Sequence, residues 1–264
     1  MVRALLLVVA WCCCGTTACW SMQVNGQSKP PAVARWPHEA RVGFFHIHAD
    51  YDFSARIGFF RQLESLPREL SETLGIKISE EPIHLILFGK QNDYRMYLRT
   101  HFPDLPSRQA LFIKRRGPGM VFAFESQRLE IDLRHEATHA LLHASLPYVP
   151  LWLDEGLAEY FEIPAAQRRN GNPHHSYVRM AALVGKAPSI HKLEAIGGID
   201  EMGNPQYRQA WAWVHFFLHE SDQSRAVLQE FLRDLQVHSP PGSFARRVAT
   251  DLPGHPQRFI KHFR

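Results

Sequence analysis

The chain has 264 residues, of which 45% are hydrophobic and 21% charged, and this composition is typical of a folded globular protein and not of a disordered one. At this length the chain can bury a full core, either as one large domain or as two tightly packed lobes. The net charge of +4 is mild, and the basic residues of the C-terminal third alternate with apolar residues at helical spacing. This pattern predicts solvated helix faces, so we expect no nucleic-acid partner, while weak attraction to anionic lipids or cell-wall polymers stays open.

The N-terminus has the pattern of a secretory signal. A charged start, Met1-Val2-Arg3, precedes an apolar run over residues 4–14 that is too short to span a bilayer. All four cysteines lie within residues 1–19, so the rest of the chain contains neither a disulfide nor a thiol ligand. We therefore assign residues 1–19 as a signal peptide and expect the protein to be exported.

Two features after the apolar run indicate a membrane anchor. The sequence Thr16-Thr17-Ala18-Cys19 resembles a bacterial lipobox, in which small residues precede the cysteine that receives the lipid, although Thr16 stands where leucine is usual. Residues 20–40 are rich in Gln, Ser, Asn, Gly and Pro and predict a flexible tether. The expected location is beyond the bacterial inner membrane, either free in the periplasm or anchored there through a lipidated Cys19. Simple cleavage after Ala18 and an uncleaved signal are the alternatives.

Residues 41–126 predict a small α/β lobe that carries a mixed sheet. Strand-like and helix-like runs alternate along it, at residues 42–48, 55–74, 83–88, 92–100, 110–114 and 119–125.

Residues 127–264 predict a mainly α-helical lobe. Helical runs are expected near residues 129–146, 151–161, 176–185, 207–220, 224–236, 243–250 and 256–263. The predicted fold class is therefore α+β, with one domain over residues 41–264 and a functional cleft between its two lobes.

One short motif in the first of these helices carries most of the functional information. In His135-Glu136-Ala137-Thr138-His139 the two histidines are four positions apart, and on a helix such side chains lie on one face about 6 Å apart. Two imidazoles at this spacing can bind one metal ion. Glu136 is rotated about 100° from His135, which suits a carboxylate that contacts a water beside the ion and not the ion itself.

A second helix, predicted after Pro150, carries a candidate third ligand. Glu155 lies among apolar residues at helical spacing, and the short link from the motif helix makes the two helices antiparallel neighbours. Glu155 can therefore be presented to the face that carries His135 and His139.

Together these residues resemble the gluzincin family of zinc metallopeptidases, and within it the aminopeptidase-N-like and peptidase MA-like groups. Those proteins join HExxH to a downstream Trp-Leu-x-Glu-Gly-Leu/Phe-Ala-x-Tyr, which matches Trp152-Leu153-Asp154-Glu155-Gly156-Leu157-Ala158-Glu159-Tyr160 here. The link between the two motifs is shorter than in many gluzincins. The resemblance implies a zincin-like fold in which His135, His139 and Glu155 bind one zinc ion (Zn²⁺).

The resemblance also implies roles for three further residues. Glu136 matches the general base of the family. Glu159 matches the carboxylate that hydrogen-bonds a ligand imidazole and fixes its tautomer. Tyr207, in Tyr207-Arg208-Gln209-Ala210-Trp211, occupies a place comparable to that of the tyrosine that stabilises the oxyanion.

Other histidines compete less well for the same ion. His143 also lies on the motif face, but it is about 12 Å along the helix axis from His135, too far for both to bind one ion. A metzincin site would need glycine and a third histidine where this chain has Leu142 and Ser145. His46 and His48 alternate on a predicted strand without a carboxylate cluster, so packed or surface histidines are the preferred interpretation there.

The chemistry expected of such a site is hydrolysis of a peptide bond without a covalent intermediate. Zinc would activate a water molecule, while Glu136 would take its proton and later pass it to the leaving amine. The resemblance implies that the stretch over residues 119–125 could lie beside an extended substrate; an ordinary hairpin strand paired with residues 110–114 is the equally favoured alternative and is compatible with that role. The Gly-x-Met-Glu-Asn signature of the aminopeptidases is absent, because Gly119-Met120 continues as Val121, so an endopeptidase is favoured.

The function predicted from the sequence is thus a zinc-dependent peptidase of the bacterial cell envelope, acting on a peptide or protein substrate. Two alternatives stay open. The chain could be a zincin-like binding module that has lost catalysis, or a zinc amidohydrolase that acts on a cell-wall amide.

Overall fold

A computed structural model of the chain describes Leu7–Val8 and residues 36–105, 108–115 and 117–264. Most of the predicted signal peptide and tether, including Cys19, lies outside the described residues. None of the described helices is both long and apolar enough to cross a lipid bilayer.

A mixed sheet of five strands, extended at one edge by a two-residue segment, forms the N-terminal part of the fold. In chain order the strands are Leu7–Val8 (β1, the short segment), His38–Val42 (β2), Phe45–Ala49 (β3), Ile83–Phe88 (β4), Ala110–Lys114 (β5) and Gly119–Phe124 (β6). Their order across the sheet is β1-β5-β6-β4-β3-β2. The pairs β3–β4 and β4–β6 are parallel, whereas the other pairs are antiparallel. Strand β6 is therefore an inner strand, and β5 lies next to the edge.

The start of the domain differs from the prediction in two ways. The run over residues 42–48 is not one strand, because the chain turns at Gly43, whose φ of 56° is a left-handed conformation that favours glycine. The turn pairs Val42 with Phe45 across a β2–β3 hairpin. Strand β2 also begins at His38, within the segment predicted as tether.

The helices of the described residues agree with the predicted periodic runs, with two exceptions. The helices are Ile57–Leu63 (α1), Leu66–Leu74 (α2), Gln91–His101 (α3), Leu129–Ser145 (α4), Leu151–Phe161 (α5), His174–Leu183 (α6), Ile190–Glu194 (α7), Asn204–His219 (α8), Asp222–Gln236 (α9), Phe244–Asp251 (α10) and His255–Phe263 (α11). The run predicted over residues 55–74 is divided between α1 and α2, with Pro67 in the first turn of α2. Helix α7 was not predicted. The α+β class, with a mixed sheet and a mostly helical C-terminal part, is confirmed.

One continuous core joins the two predicted lobes. Buried side chains on one face of the sheet, such as Phe45 and Leu85, belong to the same cluster as Leu141 of α4, Trp152 of α5 and Phe217 of α8. The other face of the sheet packs a smaller cluster beneath α3. Because the main core runs through both parts, residues 41–126 and 127–264 form one structural unit in the described chain.

Helices α5 and α8 pack unusually closely where α5 carries a glycine. A Cβ atom added to Gly156 would lie 2.7 Å from the carbonyl oxygen of Ala210 and 2.9 Å from a methyl carbon of Val214. Glycine is therefore required at this position by the approach of the two backbones. The contact holds α8 directly against the helix that carries Glu155.

Candidate metal centre

Three side chains on two antiparallel helices converge in the interior. His135 and His139 lie on α4, and Glu155 lies on α5. Nε2 of His135 is 3.2 Å from Nε2 of His139, and Oε2 of Glu155 is 3.6 Å from the first nitrogen and 3.7 Å from the second. The structure thus brings together the three residues predicted as ligands, which we call the triad.

The donor atoms of the triad are spaced as a tetrahedral metal ion requires. Ligand atoms about 2.1 Å from such an ion are about 3.4 Å from one another, close to all three observed distances. Glu155 is fully buried, and neither of its carboxylate oxygens has a hydrogen-bond partner among the described residues. A buried carboxylate without hydrogen bonds is costly, and a cation bound between it and the imidazoles removes that cost.

The charges around the triad also favour a cation. Burial opposes ionisation of Glu155, but the positive charges of His139 and His135 lower its pKa to about 2. Burial likewise opposes a charge on His139, while Asp154 and Glu155 raise the pKa of this imidazole to about 10. The carboxylates therefore hold positive charge firmly at this place, whether it is a proton or a metal ion.

Two further carboxylates lie at the imidazole nitrogens of His135 and His139 that point away from the triad. Oδ1 of Asp154 lies 2.9 Å from Nδ1 of His139, and its other oxygen bonds Nε2 of His143 at 2.7 Å. Oε2 of Glu162 lies 3.0 Å from Nδ1 of His135. Each triad imidazole thus has a carboxylate at its remote nitrogen, an arrangement that directs Nε2 toward the triad. His143 contributes no atom to the triad.

The supporting carboxylate on His135 is not the predicted one. Glu159 bonds Nε2 of His174 at 3.1 Å, although it stays near His135, since the ligand atoms of His135, Glu159 and Glu162 all lie within 4.8 Å of one another. Glu162 is seven positions after Glu155 and so lies on the same helix face two turns further on. The antiparallel path of α5 brings it to His135. Helical periodicity could have identified Glu162 from the sequence.

Glu136 lies beside the triad and outside it. Its Oε2 accepts a hydrogen bond of 2.8 Å from the backbone N–H of Phe112 on β5. Together with His135 and Ala110 it lines a cavity of about 320 Å³, so its carboxylate can reach a molecule bound there. This position is the one predicted for a group that acts on a water beside the ion.

Tyr207 lies on α8 at a neighbouring cavity. That cavity has a volume of about 540 Å³ and is lined by Glu159, Pro173, His174, Tyr177, Asn204, Tyr207 and Arg208. Burial raises the pKa of Tyr207 to about 12, the negative charge of Glu155 adds to the effect, and Arg108 opposes it. The phenol therefore keeps its proton and can donate a hydrogen bond, but the described residues show no hydrogen bond between Tyr207 and the triad.

The strand nearest the cleft is β5 and not the predicted run over residues 119–125. Strand β6 pairs on both sides, with β4 and β5, so its backbone groups cannot accept another chain. The outer edge of β5 pairs with β1 at Ile113 and Lys114, which leaves the part near Ala110 beside the cavity of Glu136. The alternative that residues 119–125 form a hairpin strand with residues 110–114 is confirmed.

The sheet brings His84 to the two histidines on β3. Nε2 of His48 lies 3.0 Å from Nδ1 of His84, and Nδ1 of His48 lies 3.0 Å from Oε1 of Glu39. His46 packs against the ring of His84. Within the described residues, the groups of three or more side chains that could hold a metal ion contain none of these histidines.

No protein-family model matches this chain, and no curated protein matches it significantly. The evidence for a metal centre is therefore the donor set itself. Buried His, Glu and Asp side chains around His135 and His139 could hold a metal ion, and each metal-capable group in the described part of the chain includes at least one of these two histidines.

Proposed function

We propose that this protein is a zinc-dependent peptidase with a zincin-like fold, related to the gluzincins. The observation that carries the proposal is the triad: two imidazole nitrogens and one carboxylate oxygen at tetrahedral spacing, with Glu136 beside them in an open cavity. A site with three protein ligands leaves one position for a small molecule, which is the arrangement of catalytic rather than structural zinc sites.

Zinc suits this donor set better than the common hard cations do. Two imidazoles and one carboxylate are typical zinc ligands, whereas calcium and magnesium favour sites made entirely of oxygen. When bound, zinc supplies a Lewis acid that activates water and polarises a substrate carbonyl.

Glu136 is the proposed general base. The hydrogen bond from Phe112 holds one of its oxygens at the wall of the cavity, and the other is left to accept a proton from the attacking water. The same carboxyl group can then donate that proton to the leaving amine. Tyr207 is proposed to stabilise the oxyanion, because burial raises the pKa of its phenol and so keeps it protonated as a hydrogen-bond donor.

The proposed substrate is a peptide or protein segment in extended conformation. Among the described residues, the edge of β5 near Ala110 has no strand partner and lies at the same cavity as Glu136, so a segment that adds antiparallel to this edge would pass the triad. An endopeptidase is favoured over an aminopeptidase because the aminopeptidase signature is absent from the sequence. The signal-like N-terminus supports a place in the bacterial cell envelope, with Cys19 as the proposed lipid attachment site.

The test is substitution of Glu136 together with metal analysis. Glu136→Gln should lower kcat for cleavage of casein by about 10²–10⁴-fold, because the base is lost, while about one zinc ion per chain remains bound. His139→Ala should lose both zinc and cleavage. Glu130→Gln, which changes an exposed glutamate on the same helix, is the matched control and should retain both.

The other outcomes would refute the mechanism or favour one of the two alternative functions. Full peptidase activity in Glu136→Gln would refute the mechanism. Bound zinc without cleavage of any substrate would favour a binding module. Cleavage of peptidoglycan fragments but not of casein would favour an amidohydrolase.

A further inference from the structure

The cavity of about 540 Å³ beside the triad contains a cation that the proposed chemistry does not use. Arg208 lines this cavity with Tyr177, and the carbon at the centre of its guanidinium lies 4.0 Å from the centroid of the Tyr177 ring. The described residues offer Arg208 neither an ion pair nor a side-chain hydrogen bond. Stacking on an aromatic ring orients a guanidinium and leaves its N–H groups available in the plane.

A second polar group faces the same cavity from the same helix. Asn204 is one turn before Arg208 on α8, and both line the cavity. The one carboxylate among the lining residues, Glu159, is bonded to His174. An anion in this cavity would therefore meet a planar guanidinium and an amide.

With the antiparallel binding to β5 proposed above, the direction of that strand decides which part of a substrate would reach this cavity. The N-terminal end of β5, at Ala110, shares a cavity with His135, whereas Nζ of Lys114 at its other end bonds the carbonyl oxygen of His143. A peptide bound antiparallel to β5 runs from the His143 end to the His135 end. Its residues after the scissile bond would then lie near His135.

Helix α5 places the second cavity at that same end. Asp154 bonds His143 and Glu162 bonds His135, so Glu159 lies toward His135. Glu159 lines both cavities. The Arg208 cavity therefore continues the cleft on the side where the C-terminal half of the substrate would lie.

We propose that Arg208, stacked on Tyr177, binds a substrate carboxylate that lies on the C-terminal side of the scissile bond. This inference rests on the proposed peptidase function and names its substrate class. The carboxylate is either the C-terminus of a short peptide or the side chain of an acidic residue. Both bind a guanidinium through paired, charge-assisted hydrogen bonds.

The test measures binding separately from cleavage. Zinc-loaded full-length protein with Glu136→Gln is titrated into fluorescein-labelled pentapeptides randomised over all residues except Asp and Glu, as free acids and as C-terminal amides, and anisotropy is recorded. The acids should bind about tenfold more tightly than the amides, because only they carry the terminal charge. Amides with Asp or Glu in the last two positions distinguish a side-chain carboxylate from a terminal one. The proposal is supported if either the free acids or these acidic amides bind more tightly than amides without a carboxylate.

Arg208→Gln in the same background should remove the preference for the carboxylate, so that free acids and amides bind with similar affinity. Arg179→Gln changes an exposed arginine on α6 that lines neither cavity, and it should keep the preference. Equal binding of carboxylate-containing and carboxylate-free peptides, a preference that survives Arg208→Gln, or no binding of any peptide would overturn the assignment. Carboxylate selectivity through Arg208 in a protein whose wild type cleaves nothing would instead overturn only the peptidase function.

Discussion

The triad histidines and a second group, formed by His215, His219 and His262, are both packed inside the protein but have opposite surroundings. His135 and His139 face carboxylates, which raise the pKa of both imidazoles despite their burial. In the second group, burial lowers the pKa of His215 to about 3 and those of His219 and His262 to about 4. Neighbouring positive charges add to the effect, while the negative charge of Glu220 opposes it at His262.

The bonds within the second group explain the difference. Nδ1 of His215 is 3.0 Å from Nε2 of His262, its Nε2 donates to the carbonyl oxygen of Arg169, and His219 bonds the hydroxyl group of Tyr160. In the described part of the chain none of these three histidines pairs with a carboxylate. Buried imidazoles without a paired carboxylate therefore disfavour positive charge, whereas buried imidazoles paired with carboxylates favour it, and only the second arrangement suits a metal ion.

Removing the central carboxylate of the triad should have the largest effect. Glu155→Gln keeps the shape of the side chain but removes its charge, so zinc affinity should fall by more than about 100-fold. Competition with a chromophoric chelator measures this, and Glu130→Gln again serves as control. Unchanged zinc affinity would show that Glu155 is not a ligand and that the carboxylates beside the triad histidines do not serve metal binding.

Acidification should destabilise the protein through the second group. Its folded-state pKa values lie below the unfolded value of about 6.5, so its full contribution to stability is present above about pH 6.5. The contribution is lost as the pH falls to about 4 for His219 and His262 and to about 3 for His215. We expect a loss of about 2–3 kcal/mol between pH 7 and pH 4.5, after discounting the shifts of the partly exposed His219 and His262. Urea unfolding across this range measures it.

His262→Gln provides the comparison for that experiment. The variant should lose about 1 kcal/mol less than the wild type on acidification, because one of the neutral imidazoles is gone. Its triad is unchanged, so any release of metal at low pH is common to both proteins. Equal losses in the two proteins would contradict the assignment.

Substitution of the supporting carboxylates should have the smallest effect on zinc affinity. Asp154→Asn and Glu162→Gln should each weaken zinc binding by about 10–100-fold, because each leaves a triad imidazole less firmly oriented. Glu159→Gln should change it less, since Glu159 bonds His174. A larger effect of Glu159→Gln than of Glu162→Gln, measured by the same competition assay, would restore the role that the sequence pattern predicted for Glu159.

The convergence of the triad could be predicted from the sequence because its geometry is local. His135 and His139 are neighbours on any helix, and a short link makes α5 the next element in space. The same periodicity places Glu162 on the face of Glu155, but the family pattern ends at Tyr160 and so predicts Glu159 as the supporting carboxylate. The fold class could likewise be read from the order of strand-like and helix-like runs.

What could not be predicted depends on contacts between distant parts of the chain. The order of strands in the sheet decides that β5, and not β6, faces the cleft, and no local pattern encodes that order. The hairpin at Gly43 lies inside an apolar run that resembles one strand. The second histidine group joins α8 to α11, elements that are well separated along the chain.

The close approach of Gly156 to Ala210 has a mechanical consequence. The neighbour of Gly156 is a triad residue, and α8 carries both Tyr207 and Arg208. With no side chain between the two backbones, α5 and α8 have little freedom to slide or separate. A displacement of α8 at the larger cavity would therefore also displace Glu155 on α5. The cavity wall formed by α8 and the metal site on α5 thus move together. Any opening of the cleft has to come from the elements around these two helices.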